Sequence, residues 1–250
     1  MGALRRRIRI VAGSGEVRGT LEDDFHHFRV ALRHDGKFIV DTACEPIRYP
    51  FSLCPAAGEQ LQVLVGQPLD ASVLTLTNYT DRLQQCTHQL DLACLTAATA
   101  FQEKSWKTYD IRVDDPEDGD PRPAVLWMNG KKVLDWQFST DRIISDDEFS
   151  GVDLRGGFRK FLYAATLSDE RIEQATVLRR GIFISKGRSS EAWSGSPSHM
   201  GGCYVLQPER FDQANPVNNS RRDFSGDPEK LTMEDDDWLE TQSGNDRFIH

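Results

Sequence analysis

Cysteine and histidine side chains occur in three short segments of the sequence, and they are of the types that bind transition metals. Cys54 stands directly before Pro55, and Cys86 is two residues from His88. The segment 23–27, Asp-Asp-Phe-His-His, adds two carboxylates and two imidazoles. Zinc and iron prefer thiolate, imidazole and carboxylate ligands. The three segments therefore predict a metal site.

Strand alternation separates the two neighbouring histidines. If the segment is a strand, His26 shares a face with Phe28, whereas His27 shares the opposite face with Arg29. His26 is therefore the predicted inward ligand. Asp24 lies on the same face as His26 and is the alternative ligand.

Helix geometry limits how Cys86 and His88 act together. The two residues lie about 200° apart around a helix. They share a metal only if the helix begins near Thr87 and leaves Cys86 in the preceding loop. Packing is the competing interpretation of Cys86, which falls on the apolar stripe of this helix, since free cysteine is often a small buried hydrophobe.

These arguments give one predicted centre that holds zinc or iron. The predicted metal ligands are His26, Cys54, Cys86 and His88. The candidate catalytic residues are Asp24, His27 and His88. A metal with an open coordination position polarises a carbonyl or activates water. The predicted function is a metal-dependent lyase or hydrolase that acts on a small organic or aromatic acid.

Two other functions fit the same residues. One is an iron or iron-sulfur scaffold, or a binding module without turnover. The other is a metal-free enzyme in which Cys54 is the nucleophile and His88 is the base. Cys54 lies at a predicted helix start, where the helix dipole favours a thiolate.

The elements that position these residues predict an α+β fold. Alternating apolar and polar residues indicate an antiparallel meander over the first forty-odd residues, with a hairpin turn at Asp35-Gly36. Two helices follow, one from Pro55 to Gly66 and one over 83–101, and they are predicted to pack on the sheet.

The second half is predicted to be rich in strands. Alternating runs include 109–113, 124–128 and 132–138, followed by 159–166 and 181–185. A helix beginning at Ser168 separates the last two runs. The predicted regions are 1–104 with the site, 105–188 rich in strands, a wrapping arm over 189–226, and a mobile acidic tail over 227–250.

Composition limits the partners. The net charge of −9 and the scattered basic residues argue against nucleic acid. Arginines interrupt the apolar run that a signal peptide needs, and charges interrupt every other hydrophobic run, so no membrane segment is expected. Five cysteines without a disulfide pattern favour the cytoplasm. The expected partner is a small-molecule substrate, and the oligomeric state stays open.

Several longer runs resemble an uncharacterised bacterial family, domain-of-unknown-function family 2889. The resemblance covers roughly residues 5–224 and implies no activity. The runs that carry it are Leu-Glu-Asp-Asp-Phe-His-His-Phe (21–28), Arg-Tyr-Pro-Phe-Ser-Leu-Cys-Pro-Ala-Ala (48–57), Leu-Val-Gly-Gln-Pro-Leu (64–69), Cys-Thr-His-Gln-Leu-Asp-Leu-Ala (86–93) and Gly-Cys-Tyr-Val-Leu-Gln-Pro (202–208).

A fainter resemblance is to the NifU-like iron-sulfur scaffold family. The strand run 28–41, the Cys54 loop, the helix ending in Val-Gly-Gln-Pro-Leu and the helix opened by Cys-Thr-His look like that scaffold. The resemblance implies that Asp24 or His26, Cys54, Cys86 and His88 surround one metal or cluster. The scaffold's first cysteine has no counterpart near Glu22. Cys54 also lies about four residues closer to the following glycine than the corresponding cysteine of the scaffold does. These two departures favour a mononuclear site over cluster assembly.

Overall fold

A computed structural model describes residues 2–102, 105–116, 121–188 and 202–240. In these residues the chain forms an eight-stranded antiparallel sheet with the order β4-β3-β2-β1-β5-β6-β7-β8, which confirms the predicted α+β class. The strands are β1 (Ala3–Ala12), β2 (Glu16–Asp23), β3 (His27–His34), β4 (Ile39–Arg48), β5 (Trp106–Asp114), β6 (Arg122–Met128), β7 (Lys131–Ser139) and β8 (Arg142–Ile143).

Helices cover one face of this sheet. The first long helix packs on β1, β2 and β3, and the second packs on β1, β5, β6 and β7. An ion pair between Arg180 and Asp91 joins the two long helices side by side. The helices in the described residues are α1 (Thr87–Phe101), α2 (Phe158–Ala164), α3 (Asp169–Ser185), α4 (Pro208–Phe211) and α5 (Asp236–Leu239). None of them is long and apolar enough to cross a bilayer.

Strand β1 connects the two halves of the chain. It pairs with β2 on one side and with β5 on the other. Its apolar residues Ile8 and Ile10 are buried under the helices, whereas Arg7 and Arg9 lie on the outer face. The predicted regions 1–104 and 105–188 therefore share one sheet and one hydrophobic core.

The predicted strands over 159–166 and 181–185 are helical instead. The first lies in α2, and the second forms the last turns of α3. Ser168 caps α3 by accepting a hydrogen bond from the Arg171 N–H. The β-branched residues near the end of α3 favour a strand locally, but burial against the sheet overrides that weak preference.

The two predicted helices of the first half differ in outcome. Helix α1 begins at Thr87 and has Cys86 as its cap, as the metal-ligand argument required. The segment after Cys54 forms two 3-10 turns, Pro55–Ala57 and Glu59–Leu64. Gly66, with a φ of +84°, ends this segment where it was predicted to end.

The acidic segment predicted as a mobile tail packs on the outer face of the sheet as far as residue 240. Asp235 and Leu239 are buried there, and Asp235 forms an ion pair with Arg29. The prediction overlooked that the arginines of β1 and β3 create a basic face for these carboxylates. Residues 241–250, and residues 189–201 of the predicted arm, lie outside the described residues.

Candidate functional site

A cavity of about 670 Å³ opens beside the first turn of α1, which we call the central cavity. The β2–β3 turn, the loop that holds Cys54, the end of α3 and residues 203–221 complete its wall. All four predicted metal ligands, His26, Cys54, Cys86 and His88, line this cavity. The fold thus brings together residues separated by up to 62 positions in the sequence (88 − 26).

A buried carboxylate holds His26 in place. Asp23 is fully buried at the end of β2, and its Oδ1 lies 3.0 Å from Nδ1 of His26. The backbone N–H groups of Phe25 and His26 donate to the same oxygen, each at 2.9 Å. Arg6 donates to the other oxygen from β1. The tight turn between β2 and β3 is therefore organised around the Asp23 carboxylate.

The Asp23 carboxylate stays ionised although it is buried. Burial alone would raise its pKa, but His26 and Arg6 beside it lower the pKa below the usual range. An ionised Asp23 favours a proton on Nδ1 of His26 and leaves the lone pair on Nε2. Among the described residues, this Nε2 has no hydrogen-bond partner. His26 therefore has the arrangement of a general base that faces the central cavity.

His88 stacks on His26 from the first turn of α1. Their ring centroids lie 3.8 Å apart with the planes inclined by 25°. Burial, followed by repulsion from His26 whenever that ring is protonated and from Arg6, holds the pKa of His88 well below its ordinary value. Its Nε2 is buried and finds no protein partner in the part of the chain that is described. His88 is therefore a neutral imidazole with an unused hydrogen-bonding atom.

Three thiols also line the central cavity. Cys86 Sγ lies 3.9 Å from Nδ1 of His88, and Cys54 and Cys203 lie on the other walls. Burial, followed by the nearby Cys203, raises the pKa of Cys86 to about 12, and burial also raises the pKa of Cys54. The metal-free protein therefore holds these thiols protonated, which does not favour Cys54 as the nucleophile.

The ligand geometry gives no support to the predicted metal. Within the described ranges, no three His, Cys, Asp or Glu side chains are grouped closely enough to hold a metal ion. His26 and Cys86 both approach His88, but as a stacked ring and as a thiol 3.9 Å away. The zinc or iron site stays a prediction.

Two of the predicted catalytic residues lie away from the central cavity. Asp24 is buried against Arg188, and burial raises its pKa to about 6 despite that charge. His27 turns to the outer face of the sheet, where its Nε2 lies 2.9 Å from Asp235. Both side chains are engaged in structural contacts, so this geometry gives no support to a catalytic role for either.

The wall of the central cavity combines aromatic rings with positive charge. Among the described residues, no Asp or Glu lines it. The aromatic residues are Phe25, Phe28, Phe51, Phe183, Tyr204 and Phe211. The cations are Arg155, Arg180, Lys186 and Arg221. Arg155 and Lys186 also pair with Asp141, and Arg180 pairs with Asp91, outside the lining. Such a wall suits a ligand that has an apolar body and an anionic end.

Comparison with known families bears on only part of this site. Residues 11–102 match the family model described as Protein of unknown function (DUF2889). The match confirms the resemblance drawn from the sequence runs over that part of the chain. No curated protein matches the chain.

The DUF2889 region contains the imidazole side of the site and ends with α1. It contains Asp23, His26, Cys54, Cys86 and His88. The four cations of the wall lie beyond residue 102: Arg155 before α2, Arg180 and Lys186 at the end of α3, and Arg221 in the later segment. Cys203 also lies there, and sequence reasoning missed its place in the site. The run Gly-Cys-Tyr-Val-Leu-Gln-Pro was its one signal.

Proposed function

We propose that the chain is an enzyme of the lyase or hydrolase type that binds a small aromatic acid in the central cavity and uses His26 as its general base. One observation carries the proposal. The unpartnered Nε2 of His26 belongs to a cavity with six aromatic side chains, four cations and no lining carboxylate in the described residues. A partner of this kind is a small molecule rather than a nucleic acid.

Binding would use the two kinds of lining group separately. The aromatic rings would contact the apolar body of the substrate. The volume of the central cavity lies in the range of small-molecule binding sites. Arg180 uses Nε and Nη2 on Asp91, which leaves Nη1 without a partner in the described residues. This third nitrogen would donate to the substrate carboxylate.

Proton transfer would use the imidazole side of the cavity. His26 Nε2 would take a proton from the substrate or from a water molecule, and the ionised Asp23 would stabilise the imidazolium that forms. Because these steps use no metal, we expect treatment with EDTA to leave ligand binding unchanged.

Calorimetric titration with 4-hydroxycinnamate and its methyl ester tests the binding step. The acid should bind about tenfold or more tightly than the ester, because the ester lacks the charge that the cations recognise. The variant Asp91→Asn/Arg180→Gln should lose this preference, whereas Asp91→Asn alone should keep it. Equal affinity for acid and ester would contradict the proposal.

Turnover tests the proposed base. Products formed from a panel of aromatic acids would be followed by mass spectrometry. His26→Asn keeps a donor towards Asp23 but removes the base, so it should slow product formation by about 10² to 10⁴-fold. His34→Asn, at the last residue of β3 and away from the central cavity, is the matched control and should not change the rate. A fully active His26→Asn variant would remove His26 from the mechanism.

A further inference from the structure

Four arginines meet where α1, α2 and α3 come together, and we call them the arginine cluster: Arg82, Arg159, Arg179 and Arg180. Arg179 lies with its guanidinium 5.1 Å from the ring of Phe158 in α2 and 4.6 Å from that of Phe183 in α3. Arg180 bonds to Asp91 in α1. The cluster therefore spans all three helices.

Three of these arginines have no carboxylate partner in the described residues. Arg159 donates to Asn78 Oδ1 at 2.8 Å and to the Tyr163 hydroxyl at 2.7 Å. Arg179 donates to the carbonyl oxygen of Leu154 at 2.6 Å. The side chain of Arg82 makes no hydrogen bond or ion pair with a described residue. Among the described residues, Arg180 is the one member of the cluster that forms an ion pair.

The repulsion within the cluster is a cost to the folded protein. The positive charges of Arg159 and Arg180 act on Arg82 more strongly than the carboxylate of Asp91 does. Burial, followed by the charge of Arg180, lowers the pKa of Arg179 to about 10. This accumulation stands out in a chain whose net charge is −9. A bound polyanion would relieve the repulsion and use donors that are not paired with carboxylates.

The cluster adjoins the central cavity. Arg180 lines the cavity, and the ring of Phe183, on which Arg179 lies, lines it as well. We propose that the substrate of the central cavity carries phosphate groups that the arginine cluster binds. The substrate is then a soluble conjugate of the aromatic acid with a phosphate-bearing group. This inference rests on the proposed function and adds the substrate class to it.

Inorganic pyrophosphate is the probe that tests the cluster directly. Calorimetric titration of the full chain should show binding that weakens as salt is raised. The variant Arg82→Gln/Arg159→Gln should weaken it about tenfold or more, because neither arginine is paired with a described carboxylate. Both arginines lie outside the lining of the central cavity, so the variant leaves that lining intact. The variant Lys131→Gln/Lys132→Gln removes two exposed lysines from the β6–β7 hairpin and should leave it unchanged.

The outcomes separate this inference from the proposed function. If 4-hydroxycinnamate binds but pyrophosphate does not, or if both double variants weaken pyrophosphate equally, the arginine cluster is no phosphate site and the proposed function stands. Vesicles containing anionic phospholipid form the second arm. If vesicle binding depends on Arg82 and Arg159 and pyrophosphate does not bind, the ligand is a lipid headgroup. That result would overturn the proposal of a soluble phosphorylated substrate.

Discussion

His26 and His27 are adjacent in the chain, but strand alternation turns their side chains to opposite faces of the sheet. His26 stacks on His88 in the central cavity, whereas His27 bonds to Asp235 on the outer face. Alternation alone was enough to predict this division. It could not show that Asp23, rather than Asp24, would hold His26, because that choice depends on the turn between β2 and β3.

His88 should make the stability of the protein depend on pH. Its folded pKa is depressed, so the unfolded chain binds the proton more readily between that pKa and about 6.5. The stabilisation is therefore fully present above about pH 6.5 and is lost as the pH falls, with a slope that approaches about 1.4 kcal/mol per pH unit. Urea unfolding at several pH values should show a weaker dependence in His88→Gln than in the wild type. Identical slopes would contradict this account.

Helix α3 and the acidic segment with α5 show where local pattern fails at the scale of elements. The isoleucines near the end of α3 predict a strand, but the helix continues because Gly181 lets it approach β5 closely. The acidic segment has little apolar surface, but it is held by arginines that lie some two hundred residues earlier in the chain. Neither partner is visible in a local window of sequence.

Replacing Gly181 by alanine should destabilise the protein. The added Cβ would lie 2.6 Å from Cγ2 of Ile111, so helix or strand must shift. Such overpacking costs about 1 to 3 kcal/mol. Gly156→Ala is the control, because nothing lies within 4 Å of a Cβ at that position. Chemical denaturation measures both variants, and an equal effect of the two would contradict the close approach.

Replacing Asp235 by asparagine should loosen the acidic segment from the sheet. Asp235 is fully buried and accepts hydrogen bonds from Arg29 at 2.7 Å and from Thr20 at 2.5 Å, beside His27. Removing one charge from a buried pair costs about 3 kcal/mol or more. Asp237→Asn, at an exposed position of α5, should have little effect. Thermal unfolding separates the two variants, and similar melting temperatures would show that the docking contributes nothing.

One sheet organises the whole molecule, whereas the prediction from the sequence assigned its strands to two separate regions. The boundary predicted near residue 104 lies between α1 and β5, and β5 returns to pair with β1. Alternation predicts that strands exist, but it carries no information on which strands are neighbours. The central cavity depends on this arrangement, because its imidazole side comes from the first half and its cations from the second.

We expect a fragment of residues 1–104 not to fold alone. It keeps the DUF2889 match but lacks β5, which pairs with β1, and α3, which covers part of the same face. The intact chain should unfold in one transition, since both halves share a core. Circular dichroism of the fragment and calorimetry of the full chain test this. A cooperatively folded fragment would show that the halves are independent.

The central claim is that an aromatic acid binds beside His26. Heteronuclear NMR tests it most directly. The protein is isotopically labelled at its histidine rings and titrated with 4-hydroxycinnamate. The account predicts that, before ligand is added, the neutral His26 ring carries its proton on Nδ1. On titration, the ring signals of His26 and His88 should move together, while those of His27 and His34 stay in place. A protonated Nε2 in neutral His26, or saturation by the ligand without movement of the His26 and His88 signals, would contradict the account.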